Sequence, residues 1–437
     1  MSERRPTQNV QRESLIEGGP GFWPSIIELP QHLTLSALSY GVTAWLFAVT
    51  GPFLIYVTAA QQGNLSEVEF NTWIFGGYFI CGALSVPLTL YYRQPLLAVI
   101  TIPGGVLAGV ALTHLSFSEV TGAYLLTGIL VTALGLSGLV KRAMAWLPMP
   151  ISMAMVAGVL LPFGMGMVRA VNDAPALSLL TFAGFLAVSL ARSVAERFPP
   201  VLGAIAVGLF AATALGDADW THMRFQIAEP VLVGPAFTLA AAAELVIPLA
   251  LTVIAVQNAQ GIGILQNTGY QPPVNAITIA SGIGSFGIGS LLVAPFGSQS
   301  TSIAGPMTGI VTNPMVGKKE GRYAAAIVTA VLWMVFGLFS PMATALSRML
   351  PPSLVSLLAG LALLEVLWSC FHAAFRQKFR MGALFTFMIT VSGIRVFNIG
   401  APFWGLAGGT VISLLLEPAD FRELVRSEEK SALDGKL

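Results

Sequence analysis

The chain has 437 residues, of which 55% are hydrophobic, 10% are charged and 45 are glycine. An ordinary soluble domain carries about 25% charged residues, so this composition cannot build a water-covered surface and the chain reads as a membrane protein. A net charge of +1 argues against a nucleic-acid partner, because phosphate binding needs a basic excess.

In chain order, residues 1–32 are polar, carry Arg4, Arg5 and Arg12, and read as a cytoplasmic tail without a cleavable signal of the usual shape. A full span needs about 20 apolar residues, and cutting the apolar runs at charges and at Gly, Pro and Asn clusters gives fourteen segments, several of them short. They cover 33–60, 71–91, 96–113, 119–140, 149–168, 178–192, 199–215, 245–261, 274–288, 291–311, 322–340, 351–370, 381–395 and 401–416. The stretch Pro235 to Glu244, ahead of the eighth, looks like a short helix on the outer surface, and 417–437 is a second cytoplasmic tail. Cys81 and Cys370 lie inside apolar runs and read as small buried hydrophobes, so neither a disulfide nor a metal or other cofactor is expected.

Cytoplasmic loops should hold the excess of Lys and Arg. Fourteen spans put both termini inside, and of the 22 Lys and Arg only Arg169, Arg224, Arg348 and Arg395 then fall outside. A weak repeat accompanies this pattern: Ala157-Gly158 returns as Ala359-Gly360, Leu147-Pro148 as Leu350-Pro351 and Thr181-Phe182 as Thr386-Phe387, at offsets of 202, 203 and 205. Coincidence among abundant small residues is the alternative. A real seven-span unit, being odd-numbered, re-enters from the opposite face, which gives the inverted repeat of secondary transporters.

Spans three and ten hold matching places, and both are interrupted. Leu96 to Gly105 reads as a β-branched run with Pro103 opening a helix, and Leu291 to Ser302 as an apolar strand at Leu291–Ala294, a break at Pro295-Phe296-Gly297 and a helix start near Ser298. Backbone that is not helical at mid-membrane is tolerated only when buried in protein or lining a cavity. Two helix starts aimed at each other make an anion site from N–H groups and dipoles, without Lys or Arg. Ser298, Gln299 and Ser300, with Thr101 opposite, can add donors or cap the helices; kinks that merely allow close packing are the alternative. In span eight, Gln257-Asn258 is an amide pair in an apolar run, suited to a substrate carboxylate, to organising the breaks, or to holding helices together. Glu365, interior to span twelve and without a cation near it in sequence, is the candidate proton carrier; a protonated carboxyl bonded to a neighbouring helix is the plainer reading. Glu244 reads as interfacial, His372 as solvated and Arg395 as snorkelling. No Walker sequence, metal-ligand spacing or nucleophile elbow occurs, so an enzyme is not expected.

The segments Gln257-Asn258, Gly261-Ile262, Gly269-Tyr270-Gln271-Pro272-Pro273 and Ala294-Pro295-Phe296-Gly297 resemble the bacterial benzoate:proton symporters. The similarity continues in Tyr92-Arg93-Gln94-Pro95, Pro103-Gly104 and Ala157 to Leu161, and covers about 33–416. It implies an all-α polytopic membrane protein with 14 transmembrane segments in a 7+7 inverted repeat, shared with nucleobase and sulfate or bicarbonate transporters. Short extended strands lead into half-helices in spans three and ten of that fold. The implied domains are a tail (1–32), a core domain in two halves (33–140 and 235–340), a gate domain in two halves (141–234 and 341–416) and a second tail (417–437). By position the substrate site would comprise Thr101, Ile102, Pro103, Gly104, Gln257, Asn258, Phe296, Gly297, Ser298 and Gln299, with Ser300 beside them. Nucleobase relatives usually carry an acidic residue near the Gln257 and Ser298 positions; an amide and a hydroxyl suit an anion better. The benzoate family commonly follows Pro-Phe-Gly with a second glycine and a histidine, and slightly later an asparagine. Here those places hold Ser298, Gln299 and Ser302, and Ile102 stands where a hydroxyl residue is expected.

The expected function is secondary active transport of a small organic anion, an aromatic carboxylate such as benzoate, coupled to protons and working by alternating access of core against gate. The expected place is the bacterial inner membrane. An anion exchanger or uniporter, a nucleobase permease, a passive channel and a non-transporting scaffold are the alternatives. Candidate partners are the anion, the lipid bilayer, protons and a second copy of the chain. The topology predicts that a single cysteine at Gly63 reacts with an impermeant thiol reagent added outside cells, whereas one at Gly317 does not. Labelling of position 317 from outside would remove the fourteen-span assignment.

Overall fold

The computed structural model describes residues 18–137, 148–191, 199–217, 226–274, 277, 289–376, 378–397 and 399–423. These form, in order, α1 (Phe22–His32), α2 (Leu35–Gln62), α3 (Glu67–Tyr92), β1 (Ala98–Ile100), α4 (Ile102–Leu112), α5 (Phe117–Ser137), α6 (Met149–Asp173), α7 (Pro175–Leu190), α8 (Pro200–Leu215) and α9 (Leu239–Asn267). The second part adds α10 (Gly289–Val293), β2 (Thr301–Ile303), α11 (Gly305–Val311), α12 (Tyr323–Leu338), α13 (Ser340–Met349), α14 (Pro352–Phe375), α15 (Arg380–Ser392) and α16 (Ala401–Leu416). Among the described residues seven stretches are long and apolar enough to cross a membrane: α2, α3, α5, α6, α9, Lys319–Leu338 around α12, and α14. Helices α4, α7, α8, α15 and α16 are apolar but shorter. Span nine of the sequence reading, 274–288, falls almost wholly outside the described residues.

The helix ends follow local chemistry. Thr34 caps α2 by accepting from Ala37 N at 3.1 Å, and Ser66 with Glu69 forms a reciprocal capping box at α3. Proline opens α4, α6, α7, α8, α11, α14 and α16, where its missing N–H and fixed φ are harmless. Widened π turns interrupt α3 at Phe75–Ile80 and α9 at Ala242–Val246 and Thr252–Asn258. Such turns mark functional sites in many helices.

Helices α6, α7, α8, α14, α15 and α16 pack mainly on one another, and α2, α3, α4, α5, α9 and α12 form the other group. The two groups meet where α2 lies on α14, where α4 and the second π turn of α9 lie on α6, and where the first π turn of α9 lies on α16.

Four expectations are corrected. Leu291–Val293 is helical, not extended: Gly297 N bonds Ala294 O and Ser298 N bonds Val293 O, and Gly297, at φ +68°, ends that turn in the left-handed region. The strand comes later, at Thr301–Ile303, and the half-helix starts at Gly305. The region Pro235 to Glu244 is not a surface helix. Residues 226–238 form an extended strap whose N–H groups reach outward, Ala228 to Leu338 O, Val231 to Thr72 Oγ1, Val233 to Pro295 O and Ala236 to Ser118 O, and Leu239 onward is already α9. The end of the N-terminal tail is the helix α1, docked by Glu28 against Arg93 and by Gly21 N on Tyr91 O at 3.1 Å. Finally, α13 is a short helix between spans eleven and twelve that the apolar runs did not announce.

Candidate functional site

β1 and β2 pair antiparallel, Ala98 with Ile303, Val99 with Ser302 and Ile100 with Thr301. At either end the pairing extends by one bond, Thr101 N to Ser300 O at 3.1 Å and Ala304 N to Leu97 O at 3.0 Å. Each strand runs into a half-helix, β1 into α4 and β2 into α11, so the half-helices leave the ladder in opposite directions. Their capping residues, Thr101 and Ala304, lie at opposite ends of the ladder, four residue steps or about 14 Å apart. Both starts have the same order of groups: a capping residue (Thr101, Ala304), one residue, then proline (Pro103, Pro306).

Side chains from four helices add hydrogen bonds to the outer edges of this short sheet and to the residue leading into it. Ser85 Oγ accepts from Ala98 N at 2.9 Å, Thr89 Oγ1 donates to Leu96 O at 2.9 Å and Tyr56 OH donates to Ile100 O at 3.3 Å. Across the ladder, Ser290 Oγ accepts from Thr301 N and Asn258 Oδ1 from Ile303 N, each at 2.9 Å. Asn258 thus organises the break, as one of the readings of the amide pair required. Gln299 is a bridge: its Oε1 accepts from Trp73 Nε1 at 2.7 Å and its Nε2 donates to Thr101 O at 3.0 Å. Ser298 Oγ donates to Trp73 O at 2.6 Å. Its one hydrogen is therefore engaged, and seven residues separate it from Gly305, so it neither caps a half-helix nor offers a free donor.

The groups left over define what the site can hold. Gly105 N already bonds Thr101 O and Thr308 N bonds Ala304 O; the amides of Ile102 and Gly104, and of Gly305 and Met307, have no partner within their helices. The hydroxyls of Thr101 and Ser300 are buried and unpartnered. Gln257 is 6% exposed and makes no side-chain hydrogen bond among the described residues. Phe296 packs tilted on Phe75, centroids 5.8 Å apart, and Gly297 is pressed against the Phe117 ring so closely that a Cβ has no room. Helix α6 covers α4 and the π turn carrying Gln257. Thus the structure brings Thr101, Ile102, Pro103, Gly104, Asn258, Gln299 and Ser300 together at the crossing. Sequence reasoning missed Tyr56, Trp73, Ser85, Thr89 and Ser290; a polar group recurring inside an apolar span was the only signal they gave.

Glu365 does not join this cluster. It lies exposed on the outer side of α14, near Trp368, which is also exposed, so the burial that recommended it as a proton carrier is absent. His372 is exposed on the same side. Glu244, expected at the interface, is instead buried and is the single charged residue among the buried described residues.

Comparison with known proteins follows the same lines. The family described as benzoate membrane transport protein matches residues 31–415. The inner membrane protein YdcO of Escherichia coli (strain K12) is 31% identical over 380 residues, 86% of this chain and 94% of that one. The benzoate membrane transport protein of Acinetobacter baylyi is 29% identical over 394 residues, 89% and 97% of the two chains. Among solved structures, SLC26A9 superposes with a TM-score of 0.59 at 14% identity, over 90% of this chain and 67% of that one. The transmembrane domain of the cyanobacterial bicarbonate transporter BicA gives 0.56 at 15% identity, over 87% and 96%. These two show a shared fold.

Gln299→Leu strands two buried polar groups, Trp73 Nε1 and Thr101 O, at about 1–3 kcal/mol each. The purified variant should melt several degrees below the parent in detergent, and by more than Ser298→Ala. An unchanged melting temperature would show that the bridge does not hold the crossing together.

Proposed function

The chain belongs to the benzoate membrane transport protein family, and from that premise we propose that it carries a small aromatic carboxylate, benzoate or a close analogue, together with protons. It is an integral membrane transporter and not an enzyme. The observation that carries the substrate assignment is the start of α4 with its spare amides, beside which the unpartnered hydroxyl residues Thr101 and Ser300 face each other across the end of the ladder. Helix starts favour negative charge, and no Lys or Arg occurs among the buried described residues. A carboxylate held by neutral donors is bound without a counter-charge, which keeps release feasible. Gln257 supplies a further amide, and the apolar face of α6 (Met155, Val156, Val159) is the wall for an aromatic ring.

Movement follows from the two packing groups. The group containing α2 to α5 and α9 to α12 is the core that carries the site, and the group α6 to α8 with α14 to α16 is the gate. Seven long helices, five shorter apolar ones and the broken segment 289–311 support thirteen of fourteen spans. Pro306 stands 203 residues after Pro103, the offset of Leu147-Pro148 to Leu350-Pro351, which supports the inverted 7+7 repeat. An inside-negative potential opposes anion entry by about 2.3 kcal/mol per 100 mV, so accumulation needs a co-transported cation; protons supply it. Both termini lie in the cytoplasm on this reading, and the membrane is a bacterial inner membrane.

In proteoliposomes, labelled benzoate uptake should saturate and rise when the interior is made alkaline, and unlabelled benzoate should compete while uracil and bicarbonate should not. Thr101→Val, which removes one donor worth about 0.5–1.5 kcal/mol, should weaken benzoate binding by about threefold to tenfold. Uptake that stays linear with concentration would overturn the carrier reading, and competition by uracil alone would overturn the substrate.

A further inference from the structure

His114 and Glu244 form a buried pair away from the candidate site. His114 Nε2 lies 2.9 Å from Glu244 Oε2, and the side chains are 6% and 3% exposed. His114 follows α4 by two residues, so the pair sits at the far end of the half-helix that starts at the substrate site, about 16 Å away for eleven residues at 1.5 Å each. Glu244 lies in the first π turn of α9.

Three observations give the pair its chemistry. Thr113 Oγ1 donates its one hydrogen to Val110 O at 2.7 Å, so toward His114 Nδ1, 3.2 Å away, it is an acceptor. His114 is thus held at both ring nitrogens, by the Glu244 carboxyl group at Nε2 and by a hydroxyl oxygen at Nδ1, so one proton can be shared along the Nε2–Oε2 contact. Second, the C-terminal end of α4 favours a cation there. Third, the other carboxylate oxygen, Glu244 Oε1, is buried without a hydrogen-bond partner. It abuts Gly400, the capping residue of α16, where any side chain would collide with the carboxyl group. Helix α16 belongs to the opposite packing group and presents its positive start to the carboxylate. Arg395 of the same group donates to Thr113 Oγ1 at 3.4 Å.

The remaining titratable surroundings are few. Helices α4 and α16 carry no ionisable side chain and α9 carries only Glu244. Helix α5 carries Tyr124 and also Glu119, which interacts electrostatically with His114. Arg395 is the cation on the gate side.

We infer that the His114–Glu244 pair is the proton-binding site of the transport cycle. With core and gate together, as here, α16 and Arg395 hold the pair ionised. When the gate withdraws from this end, which the charge pattern assigns to the outside, the carboxylate loses the start of α16 and takes up a proton. When core and gate close again, the start of α16 and Arg395 return to the pair and displace the proton, which leaves with the anion on the other side. No other reactant is needed. This inference rests on the proton-coupled reading above.

The test counts protons and transport together. Purified protein in weakly buffered detergent solution with a pH dye should take up protons when benzoate is added, and Glu244→Gln and His114→Gln should each take up none while still binding benzoate in a thermal-shift assay. In proteoliposomes, one proton per anion allows about tenfold accumulation per pH unit. Glu244→Gln should reduce that ratio to one while keeping benzoate exchange at equal pH within about threefold, and Glu365→Gln should change neither. Should Glu244→Gln bind benzoate but fail to transport, its proton count alone decides. Proton uptake in both variants equal to that of the parent, or pH-driven accumulation kept by Glu244→Gln, overturns the assignment. Exchange without any pH-driven accumulation in the parent overturns the coupled reading itself, and this site with it, while leaving the carrier intact.

Discussion

Everything else in this molecule is arranged around six residues of extended backbone at membrane depth. Lipid offers no hydrogen bonds, and an unpaired peptide group there costs several kcal/mol. A two-stranded ladder satisfies only the inward edges of Ala98–Ile100 and Thr301–Ile303. Groups on the outer edges are met by Tyr56 from α2, Ser85 from α3, Asn258 from α9 and Ser290 from α10, and Thr89 of α3 holds Leu96 just before β1. Those bonds tie four helices to the crossing. The same need explains why these helices hold buried hydroxyls and amides in otherwise apolar runs.

The ladder also determines what is left for a ligand. Antiparallel strands that each continue into a helix place two positive helix starts at opposite ends of one short ladder, and proline at the same place in both removes one donor from each start. Two amides at the start of α4 then remain beside the unpartnered hydroxyls of Thr101 and Ser300, and two more at the start of α11. Gln299 and Ser298, which look like ligand groups in the sequence, are spent on Trp73 and on the backbone of Thr101. A ligand at the start of α4 would therefore meet main chain more than side chain.

Much of this was legible from the sequence because lipid imposes simple rules. Span fourteen was read as 401–416 and is α16, Ala401–Leu416, since its ends are set by a Gly-Ala-Pro start and a charged stop. The strand before Pro103 was legible from β-branched residues. The second strand was misplaced because Leu291-Leu292-Val293 is apolar enough for either structure, and the left-handed turn at Gly297 that makes it a helix end depends on Phe117 and on backbone bonds. Glu365 misled for a related reason. Depth in a span is visible in the sequence, but the side of a uniformly apolar helix is not, and α14 turns Glu365 outward. Glu244 was undervalued because its partner, His114, lies 130 residues away.

The distance between the ion pair and the substrate site has an electrostatic logic. A carboxylate 4 Å from a bound anion would repel it by about 4 kcal/mol at an effective dielectric constant near 20, whereas at about 16 Å the repulsion falls to about 1 kcal/mol. On the coupled reading that remainder would be useful, since an anion at the start of α4 and a proton at its far end would favour each other by about fivefold, linkage being reciprocal. Helix α4 has its start at the ladder and its C-terminal carbonyls toward His114. On the proposed reading one short half-helix would couple two ligands of opposite charge. The closer neighbour of Glu244 is the start of α16, which touches it at Gly400.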